Sequence, residues 1–292
     1  MANHRVWRLV SRVWITLGVG GTIVFIGWSL IAYRASSVAR NAALSDSLVT
    51  VDHTDGVWRF VPNGRAPART TLVFFPGALV DPRAYAPLAR SVAEAGYPAT
   101  LVELPRRGAF NSADSPELDS RIRSVLPAAA KREAIVVGGH SRGAVVASRI
   151  AATNTPRVSG LVIIGSSHPR DHDLSSLTIP VTKIVGTRDG LASPNEVRQN
   201  AALLPPQTRW IWIEGGNHSQ FGWYGFQPLD RRPRIDAARQ RAVMLEGVLE
   251  ILRNVDQHAA RPGANRLHYR SMSSVSSVVA TFVTPSATSA WP

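Results

Sequence analysis

The chain has 292 residues, no cysteine and a formal net charge of +13. That length accommodates one α/β domain of about 200 residues with appendages, and the lack of thiols excludes disulfides, thiolate chemistry and zinc–cysteine sites. The charge is almost wholly arginine, with Lys131 and Lys183 the only lysines, and forms no long basic run. This argues against a nucleic-acid partner and leaves attraction to anionic lipid headgroups open.

Residues 1–12 are basic and read as a cytoplasmic segment. Val13 to Tyr33 holds no charged residue; at about 1.5 Å rise per residue it just spans a bilayer core of about 30 Å. Trp14, Trp28 and Tyr33 stand towards its ends, as interfacial aromatics should. The stretch is longer than a signal-peptide core, and Ala32-Tyr33-Arg34-Ala35 is a poor cleavage site, so 13–33 is predicted to be an uncleaved single-pass transmembrane anchor that meets membrane lipid. Arg5, Arg8 and Arg12 outnumber Arg34 and Arg40 across it, which puts the rest of the chain outside the cytoplasm. Residues 34–47 read as a linker.

Residues 48–256 read as the folded domain. Leu48–His53 and Val57–Val61 flank Thr54-Asp55-Gly56 and predict an opening hairpin. Strand-like runs follow near Thr71, Ala99, Ala134, Gly160, Val181 and Arg209, alternating with helical stretches near 83–96, 119–131, 143–153, 194–204 and 235–254. That alternation predicts an α/β fold with a mainly parallel sheet and helices on both faces. Only Ser166 to Pro180 separates two late strands, too little for a large lid. Ser, Ala, Thr and Pro dominate from Ala259 onward, and 257–292 reads as a disordered tail.

The chemistry gathers at the strand ends. Ala134-Ile135-Val136-Val137-Gly138 leads into Gly139-His140-Ser141-Arg142-Gly143 and then a helical stretch, the pattern of a nucleophile elbow. The turn is tight enough that the residues two before and two after the serine must be nearly free of side chain, and Gly139 and Gly143 sit at those places. A serine nucleophile needs an imidazole to take its proton and a carboxylate to orient the imidazole. Asp189 falls in the turn after the strand 181–186, and His218 in the loop after the strand 210–214, giving the order Ser141, Asp189, His218. Asp171 and Asp173 are the rivals for the acid. The oxyanion would be held by two backbone N–H groups: that of Arg142, and that of Ala78 or, failing it, Leu79, in the loop Pro76-Gly77-Ala78-Leu79 after the strand 70–75.

These stretches resemble the α/β-hydrolase superfamily, and within it the small bacterial proteins related to dienelactone hydrolases, over about residues 48–256. The marks are Phe75-Pro76-Gly77-Ala78-Leu79-Val80-Asp81-Pro82-Arg83-Ala84-Tyr85 and Glu214-Gly215-Gly216-Asn217-His218-Ser219-Gln220-Phe221-Gly222. Arg142 stands where relatives more often carry an apolar residue, and Glu103-Leu104-Pro105-Arg106-Arg107-Gly108 is more charged than the family pattern. The resemblance implies an α/β-hydrolase fold and a serine hydrolase that cleaves a small acyl ester or thioester through an acyl-serine intermediate, with no metal and no cofactor. Leu79, Trp223, Tyr224 and Phe226 are candidates to line an apolar substrate pocket; Glu103, Arg106 and Arg107 are candidates to meet a polar substrate. The alternative is a non-catalytic binding protein of the same fold at the membrane, against which the presence of all three triad residue types and both elbow glycines weighs.

Overall fold

Asp55 and Gly56 both adopt positive φ, +52° and +72°, as a two-residue hairpin turn demands. They join β1 (Val49–Thr54) to β2 (Val57–Pro62) in antiparallel register, with Thr54 opposite Val57. The computed structural model describes residues 2–64, 66–130, 134–153, 158–170 and 172–259.

The remaining strands are β3 (Thr70–Phe75), β4 (Ala99–Val102), β5 (Ala134–His140), β6 (Val158–Ile164), β7 (Val181–Gly186) and β8 (Arg209–Ile213). They form one eight-stranded sheet in the order β1-β2-β4-β3-β5-β6-β7-β8. β2 pairs antiparallel with β4, and every pairing from β4 through β8 is parallel. β3, β5 and β7 are buried at every position, which is why they read as continuous apolar runs rather than alternating ones.

Successive side chains of a strand enter different layers. Leu72, Phe74 and Val136 join a core with α3 (Ala86–Glu94) and α7 (Ala237–Ala259). Val73, Phe75, Ile135 and Val137 join a second with α4 (Pro116–Ala130) and α5 (Arg142–Ala152). α6 (Pro194–Gln199) opens with a capping box between Ser193 and Glu196. Between β6 and β7 the described residues hold no helix, so no helical lid is inserted there.

The N-terminal helix, α1, is continuous from Ala2 to Ala32. Its membrane-length apolar stretch is Trp7–Trp28, with mean hydropathy 1.8 and none of it buried. This stretch takes in Arg8 and Arg12, which lie before the 13–33 segment expected from the sequence. Tyr33 lies past the helix and is not an interfacial aromatic: it is 3% exposed, packed edge-on against Tyr224 at 6.0 Å.

The stretch 34–47, expected to be a linker, is joined to the domain. It holds α2 (Ser37–Ala42), capped by the Ser36 side chain, and buries Ala35, Ala39 and Ala43 in the core shared with α3. Arg90 of α3 fastens its end, donating to the Ala42 carbonyl at 2.9 Å and pairing with Asp46 at 2.7 Å. Small alanines at a helical spacing carry little hydrophobic signal, so the segment's sequence reads as linker although its backbone packs closely. At the other end, α7 continues through residues 257–259, where the tail was expected to begin; the rest of that tail, 260–292, lies outside the described residues.

Candidate active site

β5 delivers Ser141 into a strained backbone, φ +54° and ψ −118°, immediately before the first turn of α5. A Cβ on Gly139 would overlap the Gly143 backbone, and one on Gly143 would overlap the Phe75 carbonyl. Both glycines are therefore steric requirements of the elbow, as the sequence pattern predicts. The Ser141 N–H donates to the Ile164 carbonyl of β6 at 2.9 Å, which holds the strained residue in place.

Asp189 and His218 meet at the same edge of the sheet. Asp189 is fully buried; its Oδ1 accepts the N–H groups of Leu191 at 2.9 Å and Ala192 at 2.7 Å. This leaves Oδ2 for the imidazole, and His218 Nδ1 lies 2.9 Å from it. His218 is 1% exposed, and its Nε2 is buried without a hydrogen-bond partner. Ser141 Oγ does not bond to it in this structure, a looseness common in unliganded sites. Asp173, the rival acid, is exposed and accepts the Ser175 N–H at 2.8 Å; Asp171 lies outside the described residues.

The expected oxyanion loop is held by its neighbours. Gly77 donates its N–H to Tyr85 Oη at 3.2 Å, and Leu79 donates to the Arg107 carbonyl at 2.6 Å. Leu79 is thereby removed as an alternative donor, whereas the Ala78 N–H between them bonds to no group among the described residues. Leu79, Arg106 and Arg107 all have positive φ, +65°, +48° and +54°, so both loops are strained beside Ser141. Tyr85 Oη also lies 2.7 Å from His140 Nδ1, and the His140 ring stands 4.4 Å from that of His218. Burial, and then the neighbouring His218, hold the His140 pKa well below its ordinary value, so this second imidazole stays neutral.

A family model described as "Alpha/beta hydrolase family" matches residues 71–242, more than half of the chain. The chain belongs to the α/β-hydrolase family. No curated protein matches the sequence. Among solved structures, esterase 2 of Thermogutta terrifontis, phosphoramylated by tabun, is 18% identical with a TM-score of 0.51, covering 72% of this chain and 96% of its own. A serine hydrolase without a lid from Xanthomonas campestris is 19% identical with a TM-score of 0.50, covering 72% and 97%. A dienelactone hydrolase-like promiscuous phosphotriesterase from metagenomic libraries is 18% identical with a TM-score of 0.50, covering 70% and 99%. At these identities the likeness establishes the fold.

Within this α/β-hydrolase, the expected pocket residues make specific contacts with neighbouring elements. Glu103 accepts from Trp58 Nε1 at 2.6 Å and lies 3.3 Å from His53 Nε2, so its carboxylate faces the opening hairpin. Trp223 lies under the Arg241 guanidinium at 4.4 Å and bonds through its main chain to Ser36 and Ala84. Tyr224 packs against Tyr33 and donates to Gln227 at 3.2 Å. Leu79 is half-buried against the core. Arg142, expected to contribute its amide, pairs its guanidinium with Asp114 at 2.6 Å, and Asp114 is shared with Arg149.

Two residues that matter here were not singled out by sequence. Asp230 is buried, and Oδ1 accepts the N–H of Gly190 at 3.1 Å, His218 at 3.2 Å and Arg231 at 2.8 Å; Oδ2 accepts the N–H and hydroxyl of Ser219 at 2.8 and 2.7 Å. It thus joins the loop of Asp189 to the loop of His218. Lys183 is 1% exposed in β7 and donates to the His168 carbonyl. Burial pushes its ammonium from 10.5 down to about 7, against the pull of the Asp189 charge. A lysine inside Val181-Thr182-Lys183-Ile184-Val185 was a visible anomaly; Asp230, in a polar loop, was not.

Proposed function

We propose that this α/β-hydrolase is a membrane-tethered serine hydrolase that cleaves an ester or thioester. Ser141 Oγ attacks the acyl carbon as its proton passes to His218 Nε2; Asp189 holds Nδ1–H and stabilises the imidazolium. The tetrahedral oxyanion takes the N–H groups of Ala78 and Arg142. Its collapse expels the leaving alcohol or thiol with the proton from His218, and water, activated by the same imidazole, releases the acid from Ser141. The observation that carries this reading is the buried His218: one nitrogen is bound to an amide-fixed carboxylate at 2.9 Å and the other is left without a partner. The structural neighbours described as a serine hydrolase and an esterase carry chemistry of this class.

Tethering rests on the apolar, unburied span of α1 and on Tyr33 and Ala35, which the domain buries just beyond it. Cleavage near Ala35 would strip Tyr33 from that core. A fluorophosphonate probe tests the chemistry: labelling of the full-length protein that vanishes in Ser141→Ala is expected, and undiminished labelling would overturn it. Full-length protein should also stay with membranes after high-salt washing, because salt screens charge but not apolar burial; release by salt would mean peripheral attachment.

A further inference from the structure

Anchored domains commonly hang on a flexible tether, and here no spacer intervenes. The carbonyl of Ala32, the last residue of α1, accepts the N–H of Gly225 at 2.9 Å, and the next carbonyl, of Tyr33, accepts the N–H of Asp81 at 2.9 Å. A Cβ on Gly225 would lie 2.6 Å from the Ala32 oxygen, so the close approach requires glycine. Ser36 donates to the Trp223 carbonyl at 2.8 Å, and the Tyr33 ring is clasped edge-on between Trp28 at 5.5 Å and Tyr224 at 6.0 Å. Asp81 ends the loop that holds Ala78, and Gly225 follows the loop of His218. The exit of α1 is therefore bonded to both loops that flank the candidate active site.

The chain continues from Gly225 into an exposed segment. Phe226 is 51% exposed and Leu229, at φ +67°, is 88% exposed. Arg231, Arg232 and Arg234 follow, all exposed and in no ion pair among the described residues. Between them Asp230 turns inward and binds the loops of Asp189 and His218. Two exposed apolar side chains and, within a few residues of them, three exposed arginines in no ion pair among the described residues complement a surface with an acyl interior and anionic headgroups.

We propose that residues 225–234 form a membrane-contact loop resting on the anionic lipid surface from which α1 emerges, so that the site receives amphiphilic esters resident in that bilayer. This rests on the anchored-hydrolase reading above and adds what it acts on. Phe226 and Leu229 enter the acyl boundary, the arginines meet lipid phosphates, and the substrate's ester group reaches Ser141 from the headgroup level.

The cysteine-free chain allows single-site labelling. Full-length Leu229→Cys and Phe226→Cys, each carrying an environment-sensitive fluorophore, would be placed in nanodiscs of phosphatidylcholine and phosphatidylglycerol containing doxyl lipids. Gln207→Cys, on the turn before β8, is the control. Quenching several-fold above the control at both sites is expected, weaker without phosphatidylglycerol; quenching no greater than the control would overturn the proposal. Leu229→Ser should slow a bilayer-embedded long-chain ester several-fold while leaving a water-soluble short ester unchanged, and equal losses on both would overturn the assigned role. A protein that turns over neither ester and takes no fluorophosphonate would sink the hydrolase reading, with the quenching still reporting the contact. A mature N-terminus beyond Ala32, read by mass, would remove both the anchor and this proposal.

Discussion

Asp230 accepts the backbone N–H of His218 at 3.2 Å while the same oxygen accepts that of Gly190, the residue after Asp189, at 3.1 Å. One carboxylate thus sets the spacing between the loops whose side chains meet at 2.9 Å. It touches no substrate-facing group itself and acts as a positioning residue.

Asp230→Asn keeps the shape but turns an amide donor towards backbone N–H groups that need an acceptor. A drop of about 10- to 100-fold in kcat on a short ester is expected, because small displacements of reacting groups are costly, with KM little changed. Asp230→Ala should also unfold earlier, as each buried donor left unpaired costs about 1–3 kcal/mol. Steady-state kinetics and thermal denaturation of the full-length protein check both, and a pure loss of stability with unchanged kcat would reduce Asp230 to a structural role.

The assignment of the acid separates two carboxylates. Asp189→Asn should cost about 10⁴-fold in kcat by favouring the wrong imidazole tautomer, and Ser141→Ala and His218→Ala should leave only residual turnover. Asp173→Asn should leave turnover within about twofold, since its carboxylate is exposed and bound to Ser175. An active Asp189→Asn with a dead Asp173→Asn would transfer the role.

Arg142→Leu tests whether the side chain after the nucleophile reads substrate charge. Its guanidinium is held by Asp114 at 2.6 Å in a partly exposed pair, worth about 0.2–1 kcal/mol, and its proposed oxyanion role belongs to the backbone. Turnover of a neutral ester should stay within about tenfold, and a matched anionic ester should change by the same factor. A much larger loss on the anionic ester would show that the pair opens to substrate.

Lys183 gives the pH prediction. Its folded value near 7 lies below the ordinary 10.5, so between those pH values the unfolded chain binds a proton that the folded chain has released, and stability rises with pH across that window. The penalty of the buried ammonium is full below pH 7 and gone above 10.5. Lys183→Met should therefore stabilise most near pH 7, relative to the parent protein, with the gain fading by pH 10. Denaturant midpoints at pH 7, 8.5 and 10 check it; a difference that does not vary with pH would mean that Lys183 titrates alike in the folded and unfolded chain, so that burial does not depress it.

The elbow was legible because its constraint is local: Gly139 and Gly143 are required by contacts with each other and with the strand beside Ser141, whatever the rest of the chain does. The parallel strands were legible because burial on both faces writes itself as an apolar run. Glu103, Trp223 and Tyr224 are expected near the substrate because they sit at strand or loop ends, and their contacts with Trp58, Arg241 and Gln227 are not written in the sequence. Tyr33 looked like the last residue of an anchor and is buried in the domain; Asp230 looked like one more charge in a polar loop and holds five hydrogen bonds. Periodicity and steric demand act over a few residues, so a single stretch of sequence carries them. A hydrogen-bonded or aromatic partner is chosen by which distant loops the sheet brings to one edge, and only the assembled tertiary structure decides that.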